Sequence, residues 1–151
     1  MAEFDAAIDA QVRRFVYEVT LERGSPPSRA DVATGLGRAE GEIEGSFIRL
    51  QVGHVLVLQP GSGEILMAPP FSAVPTTFEV RTPSYVAFGN CVWDALGILA
   101  VLHADGIVRT ACGCCGEASE LQVRSGALGP VEGVVHFAVP AKRWWDDVVF
   151  T

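Results

Sequence analysis

Apolar residues recur at helical spacing through the first part of the chain. Ile8, Val12, Phe15, Val16 and Val19 fall on one stripe, which predicts an amphipathic helix from about Asp5 to Arg23. Gly24-Ser25-Pro26-Pro27 stops it, since proline breaks the helical ladder. Ser28 then predicts the cap of a short second helix, with Asp31 at its third helical position, Val32 and Leu36 turned inward and Gly37 at its end. A third helix is expected from about Ala39 to Val52, with Ile43, Phe47, Ile48 and Leu50 as its apolar side. Next come Val55-Leu56-Val57-Leu58 and Ile65-Leu66-Met67, on either side of Pro60-Gly61-Ser62-Gly63. That is a β-hairpin pattern. Three helices and a hairpin describe a winged-helix-like unit over residues 1–68.

Pro69-Pro70 marks the boundary to a second unit, residues 69–151. Thr76 to Val80 alternates like a strand, and Tyr85 to Phe88 leads into Asn90, the expected N-cap of a helix from Cys91 to about His103. That helix is apolar almost all round, which predicts burial on every side. Strands are expected at Ile107–Ala111, Glu120–Val123 and Val134–Val139. Trp144 and Trp145 are expected in the core, ahead of a last segment, Val148–Phe150. The class is α+β, with a small mixed or antiparallel sheet packed on one central buried helix.

Composition narrows the picture. Hydrophobic residues make up 49% of the chain and charged residues 19%, enough apolar mass for a proper core. No apolar run approaches the roughly 18 residues that a membrane crossing needs. Met1-Ala2-Glu3-Phe4-Asp5 lacks the basic and apolar blocks of a signal peptide, so a cytoplasmic location is expected. Thiols stay reduced there, and four cysteines then point to metal or catalytic work before disulfides. The 18 acidic residues against 11 basic ones give a net charge of −7. Such a chain gains little from counterion release on nucleic acid.

The densest chemical signal is Asn90-Cys91-Val92-Trp93-Asp94. Residues three apart on a helix share a face, so the Cys91 thiol and the Asp94 carboxyl should meet. The positive end of the helix should favour thiolate at Cys91. A soft sulfur anion beside a proton-carrying carboxyl suits chemistry on a soft metal or a carbon–metal bond. The plainer readings are a small apolar packing residue at Cys91 and a helix-start acid at Asp94.

Cys112-Gly113-Cys114-Cys115 holds one C-x-x-C knuckle. Zinc usually takes four ligands, so a structural zinc site would need Cys91, a histidine or a partner chain as well. A redox pair would sit at a strand-to-helix junction, whereas this knuckle lies between two expected strands. His54 and His103 fall at helix ends and His136 on an expected strand, none with a partner at ligand spacing. Ser-His-Asp, phosphate-loop and dinucleotide patterns are absent from the sequence.

On these residues the chain resembles the alkylmercury lyases, over nearly its whole length. The shared marks are the Cys-x-x-Asp of Cys91 and Asp94, a later cysteine at a strand end in Cys112, and Val135-His136-Phe137, which is similar to the strand carrying the family's second catalytic cysteine. Pro69-Pro70-Phe71-Ser72-Ala73-Val74-Pro75 and Trp144-Trp145-Asp146-Asp147 look like marks of a shorter, actinobacterial-type branch. The resemblance implies protonolysis of a carbon–mercury bond, with Cys91 as the mercury-binding thiolate and Asp94 as the proton carrier. It implies no required cofactor, mercuric ion as bound product and cellular thiols as co-reactants. Sulfur is the soft ligand that mercury favours, and a carbanion leaves only as a proton arrives. The chain departs from the family where the second catalytic cysteine should fall, near Glu132 or Gly133. Cys114 and Cys115 are candidates to replace it.

Two rival functions accompany the lyase. One is a thiol metal-binding protein that holds zinc or mercuric ion on Cys91, Cys112, Cys114 and Cys115 without catalysis. The other is a winged-helix regulator that senses metal, and it has the least support. Its reading helix would present Glu40, Glu42 and Glu44 against one Arg49 to phosphate. Packing or homodimerisation suits such a unit better. The expected partners are a small organomercurial and low-molecular-weight thiols, with no membrane.

Overall fold

The computed structural model describes residues 2–148, with side chains from Asp5 onward. Three helices lead the chain: α1 (Ala2–Arg23), α2 (Arg29–Leu36) and α3 (Glu40–Val52). Val12, Val16, Val32, Ile43 and Phe47 meet in a core that excludes water completely. Each such side chain contributes about 1.5–3 kcal/mol on burial. α2 begins as its sequence predicts. The Ser28 hydroxyl accepts the Asp31 N–H and the Asp31 carboxylate accepts the Ser28 N–H, both at 3.1 Å. Gly37 closes it with a left-handed φ of 62°. Asp9 of α1 ties down α3 by accepting from the Ser46 hydroxyl (2.6 Å) and the Arg49 guanidinium (2.8 Å). Ile48, expected inward, is 51% exposed. One residue on from Phe47, it lies about 100° round the helix and off the packed arc.

The expected hairpin forms from β1 (Val57–Leu58) and β2 (Ile65–Ala68), with Val57 opposite Met67. A third strand, β3 (Phe71–Ser72), joins β2 just after the cis Pro69-Pro70 bond. The chain then builds β4 (Glu79–Arg81), β5 (Val86–Phe88), α4 (Val92–Leu102), β6 (Gly106–Ala111), β7 (Ala118–Arg124) and β8 (Ala127–Leu128). The second sheet is antiparallel in the order β5-β4-β6-β7-β8. Its register lines up Ala87, Val80, Val108 and Leu121 in one buried row across four strands. Ala95, Ile98 and Leu99 of α4 cover that row. Side chains alternate across a strand, so the next row, Glu79, Arg109 and Glu120, takes the opposite face and joins in ion pairs. The architecture is α+β.

Contacts join the two cores. Tyr17 of α1 donates its hydroxyl to the Pro69 carbonyl at 3.0 Å, and Leu21 packs against the second core. Gly24 turns at φ +81°, where a β-carbon would lie 2.6 Å from the Val86 carbonyl oxygen.

Three expectations need correction. α4 is not buried on every side: Trp93 is 60% exposed and Val101 52%. A single sheet covers one side of the helix, whatever the composition of the other. Val134–Val139 forms no strand, because no neighbouring strand pairs with it, and Val134 is 93% exposed. Trp144 and Trp145 lie outside both cores, in a short 3-10 helix (Ala141–Asp146). Trp145 stacks on the His54 ring with centroids 4.2 Å apart. The last two residues of the expected Val148–Phe150 segment fall outside the described residues. Among the described residues, no helix is long and apolar enough to cross a membrane.

Candidate active site

The site is built where β5 hands over to α4. Gly89 closes β5 against its neighbours: its N–H donates to Phe78, and its carbonyl accepts the Thr76 hydroxyl at 2.6 Å. A β-carbon at Gly89 would lie 2.6 Å from the Ala95 nitrogen, so only glycine lets the strand approach the helix this closely. The next residues, Asn90 and Cys91, are thereby fixed at the mouth of α4.

Cys91, not Asn90, caps the helix. Its backbone is extended, and its sulfur accepts the Asp94 N–H at 3.5 Å. Asn90 turns elsewhere. Its side-chain amide donates to the Asp94 carboxylate at 3.1 Å and reaches the Pro70 carbonyl at 3.5 Å. The Asn90 amide oxygen is left buried without a partner. Cys91 and Asp94 thus sit together at the helix mouth, as cap and third helical residue, with the sulfur on the Asp94 backbone N–H. The Asn90 contact was missed from sequence, although its spacing of four from Asp94 carries it.

Electrostatics correct the expected thiolate. Burial pushes the Cys91 thiol above its ordinary value, and the nearby Asp94 charge adds to that rise against the N–H groups of Asp94 and Trp93. Burial also raises the Asp94 carboxyl, opposed by hydrogen bonds from Asn90 and from the Cys91 side chain. Among the described residues, no cation forms an ion pair with Asp94. Desolvation outweighs the helix end here, so the resting sulfur favours the thiol over the thiolate.

Beside this recess, Trp93 faces Val135–Ala141 and Trp144 across an open, largely apolar groove of about 600 Å³. Phe137 and Trp144 pack together at 4.9 Å. The sequence does not reveal this groove, because the segment opposite Trp93 has no regular pattern.

The other cysteines lie on the loop between β6 and β7. Cys112, Cys114 and Cys115 are exposed, whereas Cys91 is half-buried. The register puts Phe88, Glu79 and Arg109 side by side, so Cys91 and Cys112 leave the same end of the sheet. Two strand spacings, about 10 Å, separate β5 from β6. Among the described residues, no three of His, Cys, Asp and Glu gather as a metal-holding group, so Cys91 and the loop cysteines do not form a joint set. Glu132 and Gly133 are exposed in an irregular segment. His54 and His103 adopt left-handed backbones just past α3 and at the end of α4, and His136 lines the groove, off any strand.

A family model described as alkylmercury lyase matches residues 71–151, more than half of the chain and the whole of this site. The chain belongs to the alkylmercury lyase family. The solved mercury-bound form of MerB2 is similar in fold, with a TM-score of 0.62 and 20% identity. The match covers 80% of this chain and 59% of that one, so the chain spans less than two thirds of that protein's length. No curated protein matches the chain.

Proposed function

We propose that the protein cleaves carbon–mercury bonds, with Cys91 taking the mercury and Asp94 carrying the proton. The observation that carries this reading is a half-buried thiol whose sulfur caps Asp94, beside a carboxyl whose proton affinity burial raises, both in the segment that the family model matches. As the Cys91 sulfur bonds to mercury, its proton passes to the Asp94 carboxylate, which burial makes more basic than an ordinary one. Asp94 then delivers it to the departing carbon, so one sulfur–mercury bond forms, one carbon–mercury bond breaks and the hydrocarbon leaves with the thiol's proton. Asn90 holds the carboxyl in place during the transfer. The apolar groove beside Trp93 suits the organic group of the substrate.

The second sulfur is assigned to a low-molecular-weight thiol from solution. Glu132 and Gly133 stand where the family's second cysteine would fall, and the loop cysteines lie two strands away. The winged-helix-like first unit serves packing, not DNA reading. Its acidic residues Glu40, Glu42 and Glu44 are held in ion pairs with Arg29 and Arg38. A cytoplasmic setting, rich in reduced thiol, fits this chemistry.

The test is release of benzene from phenylmercury with excess glutathione present. Catalytic release that disappears in Cys91→Ser supports the proposal. Mercury retained by the protein without benzene would make it a thiol binder instead.

A further inference from the structure

Outside the Cys91–Asp94 recess, the loop from Cys112 to Glu117 holds the densest cluster of soft nucleophiles. Two backbone bonds close it, Cys112 N–H to the Glu117 carbonyl and Gly116 N–H to the Cys112 carbonyl, each 2.8 Å. Gly116 makes the return at φ +73°, a conformation that L side chains rarely adopt. That closure folds Cys112-Gly113-Cys114-Cys115 into one turn, in which Cys112 and Cys115, three apart, are the pair of a C-x-x-C knuckle and Cys114 falls outside that spacing. All three thiols are exposed, so none serves the packing role of an ordinary free cysteine.

We propose that Cys112 and Cys115 form a second thiol site, which takes one soft, two-coordinate d10 cation, mercuric ion being the type, between their sulfurs. Two exposed thiols on one closed turn offer the pair of soft sulfurs that a two-coordinate cation takes. On binding, two sulfur–mercury bonds form and the two thiol protons go to buffer, with no change of oxidation state. Zinc is disfavoured, because it wants four ligands and no third His, Cys, Asp or Glu joins the pair among the described residues. The proposal does not depend on Cys91 cleaving any bond.

The experiment uses the full chain carrying Cys91→Ser, which removes the other thiol and any turnover. It is titrated with mercuric chloride against excess glutathione. Binding is read from sulfur-to-mercury charge-transfer absorption and from the native mass of the complex. One mercuric ion per chain is expected. Added Cys112→Ser or Cys115→Ser should each weaken retention by about tenfold or more, the loss of a chelating partner, while Cys114→Ser should stay within about twofold. These exposed serine variants should melt with the parent. No retained mercury in the Cys91→Ser protein, indifference to Cys115→Ser, or loss in Cys114→Ser would each overturn the proposal. So would one zinc ion per chain held against a weak chelator.

Discussion

The Cys91 sulfur accepts the Asp94 backbone N–H at 3.5 Å, while the Asp94 carboxylate accepts the Asn90 side-chain amide at 3.1 Å. Burial raises both the thiol and the carboxyl above their ordinary values. On the proposed reading, the site gives up a proton when a soft metal claims the sulfur. It is poorly set to attack carbon as a free thiolate.

The Asp94 carboxyl gives a stability prediction with a definite sign. Its folded pKa lies above the ordinary 3.8, so the folded protein binds this proton more tightly than the unfolded chain does. The stability it contributes is full below the unfolded value and is lost as pH rises through the folded one. Asparagine stays neutral and avoids that loss. Asp94→Asn should melt roughly 1–3 °C above the parent at neutral pH, a small gain because the carboxyl is partly in water. The gap should close as pH falls through the unfolded value. Benzene release should drop by about 100-fold or more. Melting curves across pH decide the point: a lower melting temperature at neutral pH would mean that the charged carboxylate stabilises the fold.

Cys112 and Cys91 should differ in reactivity. N–H groups of Cys115 and Cys114 hold the exposed Cys112 thiol below its ordinary pKa, whereas burial holds Cys91 above. Limiting iodoacetamide at neutral pH, on metal-free protein, should label Cys112 about tenfold faster or more. Peptide masses taken over time give the order. Faster labelling of Cys91 would restore the thiolate that its helix-end position alone suggests.

Gly89 should tolerate no side chain. The missing β-carbon is replaced by the Ala95 backbone, and neither neighbour is a flexible side-chain end that can step aside. Gly89→Ala should destabilise by about 1–3 kcal/mol and shift the Cys91 cap out of register with Asp94. Denaturant unfolding measures the first effect and benzene release the second. An unchanged unfolding midpoint would show that strand and helix can part at no cost.

Much of the fold was legible because local rules and tertiary packing agree. The stripe of Val12 and Val16, the Ser28–Asp31 box and the Gly37 stop all stand where periodicity and capping put them. The pairing of Cys91 with Asp94 was legible for the same reason, since spacing along one helix survives any packing. What failed depends on distant partners. Val135-His136-Phe137 has the alternation of a strand but no edge to pair with. Trp93 and Val101 are apolar yet exposed, because hydrophobicity does not say how many sides of a helix are covered. The ionisation of Cys91 turns on burial, which spacing cannot express.

Trp145 supplies the last prediction. The segment from Gly129 to Asp147 forms no strand, yet Val135–Ala141 and Trp144 make the wall of the groove facing Trp93. Within it, Phe137 packs on Trp144, and the Trp144 indole donates to the Val139 carbonyl at 3.1 Å. Those contacts hold the segment to itself. The stack of Trp145 on His54, 4° from parallel, holds it to the first unit. Such a ring pair contributes about 0.5–1.5 kcal/mol. It lies outside both cores, so Trp145→Ala should leave the melting temperature nearly unchanged. It should instead free the segment, and trypsin should cut faster at Lys142 and Arg143. With the groove wall loosened and Cys91 and Asp94 untouched, KM for phenylmercury should rise severalfold while kcat holds. His54→Ala should do the same, and the double variant should add little, because both remove one contact. Equal trypsin rates in parent and Trp145→Ala would show that the stack does not hold the segment.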